Sequence, residues 1–364
     1  MPFNPRKSLP WVVGFYIFLF LSTTFVLLFE FVIPHGGFYV EDPVITTTTT
    51  TMTTITTTSS IMTTTQSTTT TASGSFTTST HTGIITTTEP VTTTTVPTTT
   101  TTVPETTTTT TGLTYPGTLP AVLASGTVIG TYFTDELLLT IYQIRASNSD
   151  VYVADVVVSS AYEILTALAF NTFGGTNITQ TVSTMATAHN AVFAINSDYA
   201  SHYDSGFVIR NGLILRSSVS NRNAIALRTD GTVTSFPETS TTVQAVLDDD
   251  AWQLWSFGPV LIKDGISVAD VHDGLDRDAV NNPRSAFGAV GVNHFMFVTV
   301  DGRTDASHGA DIEELAGIMM SLGCFQAYNF DGGGSATFWY DGEVINHPSD
   351  GYERKVSDCV YIRR

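Results

Sequence analysis

The chain has 364 residues, of which 42% are hydrophobic, and a formal net charge of −18. Only seven charged residues precede about residue 115, so the remainder carries 13 basic against 28 acidic side chains. This acidity argues against nucleic acid as a partner, because a polyanion would be repelled, although a local arginine can still bind a small anion.

An apolar run lies near the N-terminus, at residues 11–33. It is long enough to cross a bilayer as a helix, and its one charge, Glu30, is near the outer end. Because Arg6 and Lys7 precede the run, we expect a cytoplasmic tail at residues 1–10 and an extracytoplasmic C-terminus, in a single-pass protein of the cell membrane. A cleaved signal peptide is the alternative, but the run is long for one and no small-residue cleavage site follows it.

A threonine-dominated stretch follows the predicted anchor and fills most of residues 34–116. It has almost no charge and no apolar periodicity, so it cannot bury enough apolar surface to offset its ordering entropy. We expect a disordered or extended stalk that holds the next domain away from the membrane. Threonine with proline is typical of O-glycosylated stalks. A β-structured threonine repeat is the alternative, but no regular period supports it.

The pattern becomes globular over residues 117–364, which are enough for one sizeable core. Helical spacing predicts helices at residues 161–170, 178–189 and 311–322. Strands are predicted at residues 191–195, 255–262, 286–290, 295–300, 327–330 and 356–362, and on both sides of a turn within 223–236. Because strands outnumber helices in a mixed order, we expect an α+β fold, with a mixed β-sheet and helices packed on it.

The two cysteines, Cys324 and Cys359, both lie in the globular part. An even count fits one disulfide in an oxidising compartment, which would tie the last strand to the strand that begins near residue 327. Two unpaired buried thiols are the alternative. The spacing matches no zinc pattern, so we expect no metal site from these residues.

The most informative motif is an aspartate, three glycines and a serine at the end of a predicted strand: Asp331, Gly332, Gly333, Gly334 and Ser335. Glycines permit positive φ and let backbone N–H groups approach a ligand closely, as in loops that cradle phosphate or sugar oxygens. A tight turn without a ligand is the alternative. A serine nucleophile is disfavoured, because Thr337 takes the place of the last glycine in the G-x-S-x-G pattern.

Polar side chains also stand at the ends of other predicted strands. Asn196 and Asp198 follow one strand, and Asp301 and Arg303 follow another. Such residues are often turn formers, but three such ends in one domain favour a shared site. Arg284 precedes a strand, and arginine can hold a phosphate through two parallel hydrogen bonds. A surface salt bridge is the alternative for Arg284.

Together and in this order, these motifs resemble the phosphodiester glycosidase family. The matching segments are residues 194–199, 257–259, 283–286, 301–303, Gly309 with 314–316, 329–337, and 348–350 with 354–357. The resemblance covers roughly residues 120–364. Ser197 stands where the family usually has glycine, and Phe330 where it usually has leucine. The cysteine-rich extension of animal members is absent, and the N-terminal anchor resembles that of bacterial members.

The resemblance implies an extracytoplasmic hydrolase that removes a sugar from a sugar-1-phosphodiester, in exopolysaccharide or other cell-envelope glycans. The catalytic candidates are Asp331, Asp198, Asp301 and, through the resemblance alone, Glu314. The substrate-binding candidates are Asn196, Arg284, Arg303, Gly332, Gly333, Gly334 and Ser335. No cofactor is required by the sequence, and a divalent cation stays open. The alternative function is a stalked, non-catalytic surface protein that binds sugar phosphates.

Overall fold

The computed structural model describes residues 38–39, 48–53, 65–70, 112–174, 178–270 and 278–364. The chain divides into two units, one formed by residues 1–42 and 112–364 and the other by residues 43–111. The predicted membrane span at residues 11–33 lies outside the described residues. Within the described ranges, no helix is both long and apolar enough to cross a bilayer.

The described residues contain 22 strands, numbered here in chain order. They are β1 Phe38–Tyr39, β2 Thr48–Thr53, β3 Thr65–Thr70, β4 Thr127–Phe133, β5 Leu137–Ala146, β6 Ser149–Val158, β7 Leu165–Leu168, β8 Thr172–Phe173, β9 Ala191–Asn196, β10 Val208–Arg210, β11 Leu213–Arg216, β12 Asn223–Arg228, β13 Val233–Pro237, β14 Ala251–Trp255, β15 Val260–Lys263, β16 Ile266–Ser267, β17 Arg284–Gly291, β18 His294–Val300, β19 Gln326–Asn329, β20 Phe338–Tyr340, β21 Glu343–Val344 and β22 Asp358–Arg363. The α-helices among them are Ala121–Ala124, Val182–Ala188, Val243–Asp248 and Ile312–Ser321.

The threonine-rich unit contains β2 and β3, which pair antiparallel with Thr48 opposite Thr70. Both segments are extended, and the prediction of a disordered or extended stalk for the whole stretch stays a prediction. Threonine is β-branched and favours extended backbone, which explains why it pairs here. The other residues of the predicted stalk between 43 and 111 lie outside the described ranges.

The described residues of the other unit form three large sheets and the antiparallel pair β1-β8. An eight-stranded sheet has the order β16-β15-β19-β17-β18-β6-β5-β4, and two five-stranded sheets have the orders β11-β10-β14-β12-β13 and β21-β20-β9-β22-β7. Every strand pair in them is antiparallel, so the predicted mixed sheet is wrong. β17 lies between β18 and β19 and pairs antiparallel with both.

The predicted helices are confirmed in part. Helices occur at Val182–Ala188 and Ile312–Ser321, but residues 161–170 form the strand β7 between two short 3-10 turns. β7 pairs with β22, which places Leu168 opposite Asp358. The helical spacing of residues 161–170 is therefore overridden by a sheet partner that is distant in the chain.

The central strands of the eight-stranded sheet are buried on both faces, and alternate residues of each strand pack in different cores. Val298 faces the helix Ile312–Ser321 and packs in one cluster with its Leu315 and Met319. Phe297, next to Val298 in β18, points to the opposite face, where its ring lies 5.5 Å from the ring of Phe193 on the β9 sheet. This aromatic layer joins the eight-stranded sheet to its neighbour and fixes their strand ends relative to each other.

The predicted disulfide is wrong, because Cys324 and Cys359 are both buried free thiols. Cys324 belongs to the core under the helix Ile312–Ser321. Cys359 lies in β22, between β9 and β7 in a different sheet. Burial raises the pKa of both thiols well above the ordinary value, so both stay protonated at neutral pH.

Candidate active site

A cavity of about 680 Å³ opens where several strand ends meet at one edge of the domain. Its walls are formed by or lie next to six strand termini. These are the ends of β9, β18 and β19 and the starts of β12, β15 and β17. The charged lining residues are four arginines and two aspartates: Arg222, Arg284, Arg303, Arg354, Asp278 and Asp331. The cavity therefore has a formal positive charge within a strongly acidic chain, an arrangement that suits an anionic ligand.

The loop after β19 carries Asp331 into this cavity, and its backbone is held by the end of β9. Asn196 donates from Nδ2 to the carbonyl oxygen of Asp331 at 2.6 Å. Its Oδ1 accepts from the hydroxyl of Ser285 at 2.7 Å and from the N–H of Thr337 at 3.1 Å. The N–H of Asp331 donates to the carbonyl of Ser197 at 3.1 Å. Asn196 thus positions the loop and is not itself part of the cavity wall.

The glycines of this loop are required by close packing and by backbone conformation. A Cβ at Gly332 would lie 2.5 Å from the carbonyl oxygen of Pro283, closer than such atoms approach. Gly333 has a φ of +61°, in the left-handed region that favours glycine. Gly332 and Gly333 line the cavity, whereas Gly334 and the buried Ser335 do not. The predicted glycine turn is therefore in the site, but Ser335 lies behind it.

Three of the four arginines keep hydrogen-bonding capacity for a ligand. Arg222 donates to the carbonyl of Ser205 at 2.5 Å, Arg303 to Oδ1 of Asn282 at 3.0 Å, and Arg354 to the carboxylate of Asp350 at 2.6 Å. Within the described residues, Nη1 of each of the three makes no hydrogen bond. These groups can bind the two free oxygens of a phosphodiester. Arg222 and Arg354 were not among the predicted site residues.

Arg284, the predicted phosphate ligand, lines the cavity but is only 6% exposed. Its Nε donates to the carbonyl of Ala310 at 2.9 Å, and its Nη2 donates to that of Val280 at 3.0 Å. Much of its guanidinium therefore holds the backbone that leads into β17, and its contribution to ligand binding stays a prediction.

Asn329, at the end of β19, has a buried acceptor without a partner. The residue is 2% exposed and lines the cavity. Its Nδ2 donates to the carbonyl of Gly258 at 2.8 Å, which fixes the amide orientation, while Oδ1 has no hydrogen-bond partner among the described residues. An unpaired buried acceptor is costly, so this atom suits a hydroxyl or amide of a bound ligand. The sequence showed Asn329 within the motif, but we did not predict its role.

Aromatic rings form another part of the wall. Tyr203 and Phe257 line the cavity with ring centroids 6.1 Å apart. The guanidinium of Arg222 lies 4.6 Å from the centroid of Tyr203. Nearby, burial and then the charge of Asp331 raise the pKa of Tyr199. Rings beside polar groups are common in ligand pockets. Tyr203 had no distinguishing signal in the sequence, and Phe257 lies in a matched segment but was not predicted as a site residue.

Asp198, a predicted catalytic residue, lies in a buried ion pair and not in the cavity lining. Nη2 of Arg210 lies 2.5 Å from Oδ1 of Asp198 and 3.0 Å from Oδ2 of Asp358. All three side chains are nearly inaccessible to solvent. The second oxygen of Asp198 accepts the N–H of Ser256 at 2.9 Å. Burial raises the pKa of Asp358, and Arg210 opposes that effect. This network fixes the segment before the cavity residue Phe257, and it leaves Asp198 no access to a substrate.

Asp301 and Glu314 also lie outside the cavity lining. Asp301 is 3% exposed and accepts hydrogen bonds from the side chain of Asn346 and from the backbone and ring of His347, between 3.0 and 3.1 Å. Glu314 caps the helix Ile312–Ser321, where it exchanges hydrogen bonds with Asp311. Both carboxylates are committed to local structure.

In the part of the chain that the structure describes, no group of three or more His, Cys, Asp or Glu side chains could hold a metal.

Taken together, the fold and the cavity define an antiparallel β domain with a cationic site that contains one carboxylate on a glycine loop. Comparison with known proteins gives the same resemblance: residues 189–363, just under half of the chain, match the phosphodiester glycosidase family model. The resemblance that the sequence motifs indicated is confirmed.

The related proteins are distant. The chain is 31% identical over 197 residues to the SPbeta prophage-derived uncharacterized protein YomE of Bacillus subtilis, a match that covers 52% of this chain and 30% of that protein. It is 27% identical over 168 residues to the N-acetylglucosamine-1-phosphodiester alpha-N-acetylglucosaminidase of Mus musculus, covering 42% of this chain and 32% of the relative. The chain thus spans about a third of these relatives' length.

A solved structure shares the fold. It is the zebrafish N-acetylglucosamine-1-phosphodiester alpha-N-acetylglucosaminidase catalytic domain, auto-inhibited by its pro-peptide, and it superposes with a TM-score of 0.51. The two chains are 21% identical, and the match covers 63% of this chain and 83% of the other. At this identity the likeness concerns the fold alone.

Proposed function

We propose that the globular part of this chain hydrolyses a sugar-1-phosphodiester. The bond between the anomeric carbon and the phosphate oxygen breaks, and the water oxygen bonds to the anomeric carbon. One water proton goes to the departing phosphate monoester, so the products are the free sugar and that monoester. A phosphate monoester is already a good leaving group, so this reaction needs less help from a general acid than ordinary glycoside hydrolysis does.

The observation that carries the proposal is the cationic cavity with Asp331 in its wall, in a chain whose net charge is −18. A phosphodiester has one negative charge and two free oxygens, which arginine N–H groups match in geometry. We assign the phosphate to Arg222, Arg303 and Arg354, whose Nη1 groups have no partner among the described residues. Arg284 lines the same cavity and supports its backbone.

Asp331 is the assigned catalytic carboxylate. Positive charge develops at the anomeric carbon as the bond to phosphate breaks, and a carboxylate fixed beside that carbon stabilises the charge. Asn329 supplies a buried acceptor for a sugar hydroxyl or amide, and the rings of Tyr203 and Phe257 offer surfaces for the sugar. Asp198, Asp301 and Glu314 are committed elsewhere, which leaves Asp331 and Asp278 as the described carboxylates of the wall.

The test is a panel of sugar-1-phosphodiesters that differ in the sugar, incubated with the purified protein. We expect mass spectrometry to detect the free sugar and the intact phosphate monoester for at least one sugar. The same sugar as a 1-phosphate monoester and as a methyl glycoside serve as controls, and both should react far more slowly. Saturable binding of a diester without any hydrolysis would favour the alternative, a non-catalytic protein that binds sugar phosphates.

We also propose that the domain acts outside the cytoplasm, held by a retained anchor at residues 11–33, on exopolysaccharide or other cell-envelope glycans. The support is the apolar run with its basic N-terminal flank of Arg6 and Lys7. N-terminal sequencing of the native protein should find the anchor still attached. A mature chain that begins after residue 33 would instead identify a cleaved signal peptide.

A further inference from the structure

The carboxylate of Glu238 lies behind the cavity wall and has no role in the assignments above. Glu238 is fully buried, in the short 3-10 turn that follows β13. Among the described residues it forms no ion pair. A carboxylate is costly to bury unless hydrogen bonds or nearby positive charge compensate for the lost water. The groups that bind Glu238 therefore indicate what it contributes.

Both carboxylate oxygens of Glu238 bind segments that lead into the cavity. Oε2 accepts the backbone N–H of Ser220 at 2.7 Å, and Oε1 accepts the hydroxyl of Ser256. The backbone N–H of Glu238 donates to the carbonyl of Arg222 at 3.1 Å. Ser220 stands two residues before Arg222, and Ser256 directly precedes Phe257. One carboxylate thus joins two loops whose next residues line the cavity.

The hydroxyl of Ser256 extends this network to the guanidinium of Arg222. Nε of Arg222 donates to Oγ of Ser256 at 3.4 Å, while the hydroxyl donates its own proton to Glu238. The same guanidinium donates to the carbonyl of Ser205 and lies over the ring of Tyr203. Because a hydroxyl that donates to a carboxylate is polarised, its oxygen is a better acceptor for the arginine.

Ser256 is also fixed through its backbone. It is 1% exposed, and its N–H donates to Asp198 at 2.9 Å. The acceptor that Arg222 meets therefore cannot shift without breaking a bond to a buried carboxylate. Since Ser256 bridges the two charged groups, Glu238 fixes the arginine without an ion pair that would occupy its N–H groups. Nη1 of Arg222 stays available to a ligand.

We propose that Glu238 is a positioning residue for phosphate binding, which acts through Ser220 and Ser256 to orient Arg222. This inference rests on the proposed function, because it takes Arg222 as a phosphate ligand. Glutamine at position 238 keeps the size but only one acceptor oxygen. The N–H of Ser220 can only donate, so that oxygen must face Ser220. The new NH2 group then faces Ser256 and competes with Arg222 for the same hydroxyl oxygen.

The test compares Glu238→Gln with the wild-type protein in two measurements, KM and kcat for the best diester and the Kd of inorganic phosphate by calorimetry. We expect KM and Kd to rise about tenfold while kcat stays within about twofold, because ground-state binding of the phosphate weakens. In an Arg222→Ala background, Glu238→Gln should change kcat/KM and the phosphate Kd by less than about twofold, because its effect passes through that arginine. A general loss of structure would not depend on Arg222.

Asp155→Asn is the matched control. Asp155 is also a buried carboxylate, and it pairs with His294 at 2.8 Å outside the cavity lining. This variant should lower the thermal stability and leave KM and the phosphate Kd unchanged. If Glu238→Gln does not fold, Ser256→Ala replaces it, because it removes the bridging hydroxyl and should raise the same two constants.

The outcomes separate this inference from the proposed function. If the diester is cleaved and the folded variant keeps wild-type KM and Kd, or shows its full effect without Arg222, the inference is wrong while the proposed function stands. If no diester is cleaved but the phosphate Kd rises as expected, hydrolysis is wrong and the positioning role stands. If no diester is cleaved and phosphate does not bind, both fail.

Discussion

Replacing Asp331 with asparagine tests the proposed catalytic carboxylate with the least structural change. The backbone at this position is held by Asn196 and by Ser197, and neither bond involves the carboxylate. Asp331 Oδ1 accepts the N–H of Gly332 at 3.0 Å, which an amide oxygen can also accept. Asp331→Asn should therefore keep the loop and remove only the negative charge.

The expected loss follows from the charge that the carboxylate faces. At an effective dielectric constant near 20, the Coulomb energy between a carboxylate and a developing unit charge about 4 Å away is about 4 kcal/mol. Because about 1.4 kcal/mol corresponds to a tenfold change in rate, Asp331→Asn should reduce kcat roughly a thousandfold. A full covalent role for the carboxylate would make the loss larger.

The assay is kcat on the best diester, measured together with circular dichroism and thermal unfolding. Asp135→Asn is the matched control, since Asp135 is exposed in the turn between β4 and β5, and it should keep wild-type turnover. If Asp331→Asn folds normally and turns over within threefold of the wild-type rate, Asp331 is not the catalytic carboxylate.

Three further predictions concern the charged groups. Arg222→Lys keeps the charge but loses the planar N–H geometry, so it should raise KM for diesters by about 5- to 100-fold and leave binding of the free sugar unchanged in titrations. Arg210→Met leaves Asp198 and Asp358 buried without a cation and should lower the free energy of unfolding by about 3–5 kcal/mol in urea titrations. Burial raises the pKa of Asp301 above its ordinary value of 3.8, so Asp301 keeps its proton to higher pH in the folded state than in the unfolded state, and its contribution to the free energy of unfolding falls as pH rises. Asp301→Asn should remove that decrease, which unfolding titrations between pH 3.5 and about 6 would detect.

The sequence was informative about strands and much less so about how they pair. The turn at Asp230 and Gly231, with a strand on each side, is confirmed by the pairing of β12 with β13. Local pattern could not show that β17 separates β18 from β19, since this depends on contacts between segments far apart in the chain.

The candidate site was predictable where one short motif carried it. Asp331, Gly332 and Gly333 are adjacent in the sequence, and they line the cavity together. Arg222 and Tyr203 come from loops without a motif, and only the folded chain brings them to the same wall. Arg222 and Tyr203 contribute to the cavity only because the ends of different strands meet at one edge of the domain.

The carboxylates that follow predicted strands looked equivalent in the sequence, yet the structure separates them by burial and partner. Asp198 is paired with Arg210, which lies 12 residues away in the chain, and that arginine also binds Asp358, 148 residues further on. Asp331 instead lines a cavity with arginines. Alternation and turn chemistry predict where a carboxylate leaves a strand, but they carry no information about the cation that it meets.

The partners of each arginine explain how an acidic chain maintains a cationic cavity. Arg210 is enclosed by two carboxylates, so its charge is neutralised and serves the fold. Arg222 and Arg303 are instead held by neutral acceptors, the carbonyl of Ser205 and the amide of Asn282, which orient each guanidinium without cancelling its charge. Neutral acceptors keep the positive potential available to a ligand at a small energetic cost, because the cavity remains open to water. An arginine positioned by neutral groups in a cavity wall is therefore a stronger indicator of an anion site than the overall charge of the chain.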